Sequence, residues 1–437
     1  MEWWLILVAI LCSLLILMSL GMPIAFCFLL INVVAAFVFW AGPVGLEQVS
    51  HSLLESLTYY PLLPIPLFVL MGEVMFHSGI APRMIGTIEG WLVRLPGRLS
   101  FLAVASGTLF SALSGSSIAA TAVLGGVLVP EMEKRGYKKP MSLGPVLGSG
   151  GLATMIPPSM NVVFLAVVAD ISTGRLLFAA AIPGLLMAAF YAIYIITRCY
   201  IQPSLAPAYE VAPVPLSKKL VATLQYILPL GFIIFMVTGV IFLGVATPSE
   251  AAATGALSCF ILAAAYRRLN WEVVKKSVNS AMRISVMIFL IIAAAKAYSQ
   301  ILAFTGASRG IVEFAAGLDL SPILILIAMQ VAGFILGMIM PIGAMVMISI
   351  PLYMPVVHAL GFDPVWFGAI YVLNLEMAAT SPPYGCNLFV MKEVAPPGTT
   401  LTDCYGAALP FLGCDLIVLA LMIAFPTMVL WLPGIIR

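Results

Sequence analysis

Apolar stretches long enough to cross a lipid bilayer follow one another along nearly the whole chain, and nothing else in the sequence so narrows what it can fold into. A helix needs about 20 apolar residues to span the hydrocarbon. Such stretches fall at 3–20, 23–41, 62–77, 141–170, 175–198, 221–243, 249–266, 284–304, 364–391 and 404–430, which predicts ten crossings by an all-α polytopic membrane protein. A water-soluble chain carries about 25% charged residues, whereas this one carries 9%, so its solvent over most of its length is lipid. The first stretch follows Met1 and Glu2 without a basic leader and is expected to remain as a transmembrane helix rather than be cleaved. A net charge of +2 leaves no basic face for phosphates, which excludes nucleic acid as a partner. The seven cysteines are an odd number lying mostly in or beside apolar runs, so they are read as small core residues and not as a disulfide framework.

Two further apolar stretches, 99–129 and 321–357, are too long for one helix. Each is interrupted by small or helix-breaking residues, Ser114-Gly115-Ser116-Ser117 in the first and Gly337-Met338-Ile339-Met340-Pro341-Ile342-Gly343 in the second. Both are read as re-entrant helical hairpins. Charge agrees, because short cytoplasmic loops collect Lys and Arg. Arg83, Arg94 and Arg98 precede the first stretch and Lys134, Arg135, Lys138 and Lys139 follow it, so both its ends belong to one side. With both stretches as hairpins and both termini periplasmic, 16 of the 20 basic residues fall in the cytoplasm; Arg175, Arg309 and Arg437 fall outside and Lys296 lies within a span. Segments 80–96 and 270–283 are amphipathic and are expected to lie on the cytoplasmic surface as interfacial helices. The tryptophans sit near span ends, as interfacial anchors.

Sliding the chain against itself gives one meaningful shift, near 225 residues. Pro23 then meets Pro248, Pro130 meets Pro355, Gly136 meets Gly361, Pro157-Pro158 meets Pro382-Pro383, and Phe164 meets Phe389. Five crossings separate each element from its mate, so the second copy is inverted. The expected division is a first inverted repeat over 1–205, a cytoplasmic linker over 206–220 and a second inverted repeat over 221–437. Inverted repeats with broken helices and a mid-membrane site mark secondary transporters.

The breaks carry the chemistry. Gly148-Ser149-Gly150-Gly151-Leu152-Ala153-Thr154-Met155-Ile156-Pro157-Pro158-Ser159 cannot be one regular helix, since two prolines remove two donors and free carbonyls at membrane depth. Such backbone survives only where it is buried in protein or lines a cavity. Ala378-Ala379-Thr380-Ser381-Pro382-Pro383-Tyr384-Gly385 repeats the device. Free carbonyls with Ser and Thr hydroxyls suit an alkali cation, and half-helix N-termini suit a carboxylate. No transition-metal spacing of His and Cys is present, and no cofactor is expected beyond an alkali cation. Among ionisable residues in spans, Glu376 and Lys296 are candidates for substrate binding or for pairing with each other, Glu73 being an alternative partner of Lys296; Glu73 and Asp415 are read as structural. Ser116, Ser159, Asn161, Ser381 and Asn387, around the same breaks, complete the candidate substrate-binding set.

Together with Gly21-Met22-Pro23-Ile24-Ala25 and Ala246-Thr247-Pro248-Ser249-Glu250-Ala251, the hairpin and Pro-Pro motifs resemble, in order and spacing over nearly the whole chain, the large membrane subunit of tripartite ATP-independent periplasmic (TRAP) transporters. The resemblance implies a sodium-driven elevator transporter, in which a transport domain carrying both hairpins and both breaks slides against a scaffold. It implies an organic-acid substrate such as a C4-dicarboxylate, a keto acid or sialic acid, and the bacterial inner membrane. It also implies two partners: a small four-helix membrane subunit and a periplasmic substrate-binding protein. Carried onto this sequence, one sodium site falls at Ser114, Ser117, Gly151, Thr154 and Pro157. A second falls at Gly337, Gly343, Met377, Thr380 and Pro383. The chain departs from the usual motif at Ser381 and Tyr384, where Thr and a small apolar residue are more common. Two other readings are a passive channel or membrane scaffold, and an intramembrane hydrolase using Ser149. The hydrolase needs a base beside its nucleophile, and His51, His77 and His358 all fall at loops or span ends.

Overall fold

The computed structural model describes residues 2–40, 42–92, 95–207 and 215–435, and these are helical with no strand among them. Helices α1 (Trp3–Ser19) and α2 (Ile24–Phe39) are followed by α3 (Pro43–Leu57), α4 (Pro64–His77) and α5 (Ala81–Trp91). Next come α6 (Arg98–Ser114) and α7 (Ser117–Lys134), then α8 (Lys139–Met155) and α9 (Met160–Val168), then α10 (Thr173–Ile201). The second half holds α11 (Leu216–Phe242), α12 (Pro248–Ala265), α13 (Trp271–Phe304) and α14 (Ala307–Ala316). It continues with α15 (Pro322–Gly337), α16 (Ile342–Ala359), α17 (Pro364–Ala379), α18 (Cys386–Val394), α19 (Leu401–Ala424) and α20 (Pro426–Ile435).

The starts are set by local chemistry. Proline occupies the first helical position of α3, α4, α12, α15 and α17, where its missing N–H costs nothing and its fixed φ is already helical. Ser116, Ser159, Thr247, Asn270, Asp363 and Thr400 cap their helices by accepting first-turn N–H groups, which satisfies donors that have no intrahelical acceptor.

Among the described residues, seven helices are long and apolar enough to cross a membrane, and an eighth span results if α8 and α9, bent by 44° at their break, are taken as one. The expected spans at 62–77, 175–198, 221–243, 249–266 and 284–304 are found among these seven. At 404–430 the expected span divides, because Pro426 cannot continue the hydrogen bonding of α19 and disfavours helical backbone at Phe425 before it, so α20 starts anew. Segment 270–283 is not a separate interfacial helix but the first turns of the unbroken 34-residue α13. Helix α11 begins at Leu216, within the expected linker 206–220; residues 208–214, like Arg94 and Arg437, lie outside the described residues. Trp366 is no interfacial anchor. It is buried and donates its indole N–H to the Met422 carbonyl at 2.8 Å.

Helices α6 and α7 fold back on each other, and both pack along α8. Gly115 makes the turn between them in left-handed conformation at φ +59, where a side chain would be strained. The return is fixed by charge: Glu89 lies 3.4 Å from Arg98 at the start of α6 and 4.0 Å from Arg135 just past the end of α7. One carboxylate therefore holds both feet of the hairpin. Cysteines placed at the exposed Leu95 and Lys138 are accordingly expected to show the same sidedness toward an impermeant maleimide in intact cells. Labelling of only one of the two from outside would mean that the segment crosses the membrane.

Helix α8 is buried at every position from 141 to 155, and α17 at every position from 365 to 379. These two pre-break helices form the centre of the molecule. A second group packs around α13, which lies along α2, α3 and α4 and touches α16 of the second hairpin, while α12 packs on α4.

Candidate transport site

The breaks are where the helical ladder stops. Residues 156–159 separate α8 from α9 and residues 380–385 separate α17 from α18, with cis peptide bonds at Pro157-Pro158 and Pro382-Pro383. The first hairpin tip docks on the first break, where the Met160 N–H donates to the Gly115 carbonyl at 3.2 Å. A Cβ on Gly115 would lie 3.0 Å from the Pro158 carbonyl oxygen. The second tip docks through Gly337, which is packed so closely on Ala378 and Met345 that a Cβ would meet them at 2.5 and 2.6 Å.

Between the tips lies a cavity of about 300 Å³. Ser116, Ser117 and Ile118 line it from the start of α7, and Pro341, Ile342 and Gly343 from the start of α16. Met160 and Asn161 come from the start of α9, and Cys386 and Asn387 from the start of α18. Four helices therefore point their N-terminal ends into one space, each bringing free N–H groups and partial positive charge. The opposite wall is apolar, made by Ile284, Met287, Ile288 and Ile291 on one face of α13 with Ile24. Among the described residues, no Asp, Glu, Lys or Arg lines the cavity.

Two amides, Asn161 and Asn387, line the cavity, but they are held differently. Asn161 donates to the Thr154 hydroxyl at 3.3 Å, and Thr154 in turn donates to Oε2 of Glu376 at 2.7 Å. Asn387 is 0% exposed, and neither of its amide atoms has a protein partner. A buried amide without partners costs free energy, and a carboxylate in the cavity would relieve that cost.

Glu376 is 1% exposed and reaches from the second half of the chain into the first. Its carboxyl rests on Gly151 so closely that a Cβ there would lie 2.3 Å from Oε1. Thr380 is buried and donates its hydroxyl proton to the Glu376 carbonyl at 3.0 Å. Ser114 is buried with its hydroxyl unpartnered, Ser159 is buried as the cap of α9, and Met377 is buried in the last turn of α17. Ser381 is buried with its hydroxyl turned to the Pro382 carbonyl. Pro157 is buried in the first break, whereas Pro383 is exposed and accepts from the Tyr405 hydroxyl at 2.9 Å.

Lys296 is not brought to this site. Its ammonium lies 4.9 Å from the centre of the Tyr59 ring, whose hydroxyl donates to Asp170 at 3.3 Å. It forms no ion pair with Glu376 or Glu73 among the described residues; Glu73 lies instead 3.2 Å from His77. Asp415 accepts from the Tyr191 hydroxyl, in keeping with a structural role. The Ser149 hydroxyl is spent on the Val146 carbonyl at 3.0 Å. Sequence reasoning missed the α13 face of the cavity, because nothing in its apolar pattern distinguishes a cavity wall from a lipid-facing stripe.

Broken helices meeting at a cavity inside a bundle of apolar spans define a membrane transporter. Residues 11–428 match the family described as Tripartite ATP-independent periplasmic transporter, DctM component, and the chain belongs to that family. It is 31% identical over 398 residues to the C4-dicarboxylate TRAP transporter large permease protein DctM of Pseudomonas aeruginosa, covering 90% of this chain and 91% of the relative. With the ectoine TRAP transporter large permease protein TeaC of Halomonas elongata it shares 28% identity over 417 residues, 95% and 96% of the two chains. The fold resembles that of the Alcanivorax borkumensis YdaH transporter with a TM-score of 0.60 at 16% identity, covering 88% of this chain and 89% of that one. The chain is thus a multi-pass integral membrane permease subunit that serves solute uptake, and not an enzyme.

Proposed function

We propose that this chain is the translocating subunit for sodium-coupled uptake of an organic acid across the bacterial inner membrane. The observation that carries the reading is the cavity where four helix N-termini and the unpartnered Asn387 converge with no acidic side chain on its walls. Such a site favours a carboxylate, by about 0.3–1 kcal/mol per helix end and more where it is shielded from water. C4-dicarboxylates lead the substrate classes because a relative of comparable length carries that name.

An inverted-repeat architecture of ten crossings and two re-entrant hairpins, with both termini periplasmic, is supported by helix order. Elements α2 and α12, α6 and α15, α7 and α16, α8 and α17, and α9 and α18 start 224 to 226 residues apart. On this reading α16, which is long and apolar enough to span, is a hairpin arm like its mate α7. An elevator motion is supported by the division of packing: the hairpins and breaks gather around α8 and α17, and the α13 group faces them across the cavity. Sodium sites are assigned to Ser114, Ser117, Gly151, Thr154 and Pro157, and to Gly337, Gly343, Met377, Thr380 and Pro383. The first set shares Gly151 and Thr154 with the Glu376 carboxyl, so Glu376 is close to the ion that the first set would hold.

The partners are a small four-helix membrane subunit and a periplasmic binding protein that hands over the substrate. The test is uptake of a panel of labelled organic acids into proteoliposomes. Saturable, sodium-dependent uptake is expected with all three components and none with this chain alone. Uptake that rises linearly without saturation would mark a channel, and saturable uptake by the isolated chain would overturn the need for partners.

A further inference from the structure

We propose that Arg283 is a capture point for the carboxylate of an organic anion, in a vestibule that continues the central cavity. The proposal rests on the anion-transport reading above. A second cavity, of about 800 Å³, shares Ile24, Met287, Ile291 and Pro341 with the first, so the two adjoin along these residues. It runs from the second hairpin tip to the connection between α1 and α2.

Among the described residues, Arg283 is the only Asp, Glu, Lys or Arg on the walls of either cavity. It is exposed, and among the described residues it forms no ion pair. Its neighbour one turn on, Met287, lines both spaces, and residues four apart on a helix share a face. That face is the one turned to the cavity. Along the α13 side, an anion leaving the four helix ends would otherwise pass apolar wall, since α13 presents Val286, Met287, Leu290 and Ile291 there. A guanidinium at that point offers two parallel donors to a carboxylate, a full charge where the cavity supplies only partial ones.

The simpler role is an interfacial arginine whose stem covers apolar surface while its head sits in the lipid headgroups. In that case its charge would be felt by the bilayer and not by the vestibule. The two are separated by charge-selective thiol labelling of the full chain in detergent, with Cys12 and the cavity-lining Cys386 replaced by serine and Met287→Cys introduced. The rate of reaction with anionic sulfonatoethyl methanethiosulfonate is divided by the rate with the cationic trimethylammonium reagent. The ratio is expected to exceed that of a small free thiol, to fall about 3- to 30-fold on Arg283→Gln for unit charges a few ångströms apart in a wet cavity, and to survive Arg283→Lys. A high ratio unchanged by Arg283→Gln would overturn the role of Arg283 and leave the helix ends as the source of the field. A starting ratio no higher than the free thiol's would overturn the anion cavity itself. Failure of the introduced thiol to react with either reagent would show the vestibule closed and would overturn the proposal as well.

Discussion

Gly151→Ala is expected to abolish uptake and to lower the thermal midpoint of the purified chain. The added methyl would sit 2.3 Å from Oε1 of Glu376 and 2.7 Å from its Cδ, closer than non-bonded atoms can approach. The carboxyl has nowhere to go, because α8 is buried along 141–155 and α17 along 365–379. Overpacking of this kind costs about 1–3 kcal/mol. Moving the carboxyl also breaks its 2.7 Å bond from Thr154, and an intramolecular hydrogen bond contributes about 0.5–1.5 kcal/mol. The functional loss follows from the next link, since Thr154 is what Asn161 holds on to at the cavity wall. Glu376→Asp in the same chain shortens the side chain by one methylene and should recover part of the stability. A Gly151→Ala chain that transports and melts like the parent would mean that Glu376 does not pack on α8.

Thr380→Val is expected to raise the half-saturating sodium concentration about 5- to 150-fold, with folding and expression intact, the counterpart of losing one oxygen ligand worth about 1–3 kcal/mol. The Thr380 hydroxyl proton is committed to the Glu376 carbonyl at 3.0 Å, so its oxygen has only lone pairs left to offer, which suits a cation and not an anion. Valine keeps the volume and removes those lone pairs. Thr427→Val, at the exposed start of α20, is the control and should change nothing. An unaltered sodium curve for Thr380→Val, or full uptake driven by a proton gradient without sodium, would show the second ion site to be misplaced.

Segment 270–283 reads as an interfacial helix because its charges recur on one face, yet it continues unbroken into the apolar turns of α13, since nothing between Arg283 and Ile284 interrupts the hydrogen-bond ladder. The short helices α3 and α14 were invisible among apolar runs, being too short and too polar to register as spans. Trp366 has the position of an anchor and the burial of a core residue.

What the sequence determined by itself is what backbone and solvent chemistry decide locally. Charge so sparse requires a membrane, paired prolines must break α8 from α9 and α17 from α18, and Ser114-Gly115-Ser116-Ser117 must turn a hairpin. These outcomes depend only on neighbours along the chain. Tertiary structure alone decided which side chains meet across it. Thr154 and Glu376 are 222 residues apart and bond at 2.7 Å. Lys296, read as a partner of Glu376 or Glu73, lies over Tyr59 instead. The same apolar pattern on α13 could have faced lipid or cavity. Periodicity records which residues share a face, but only the packing of one helix on another decides what that face looks at.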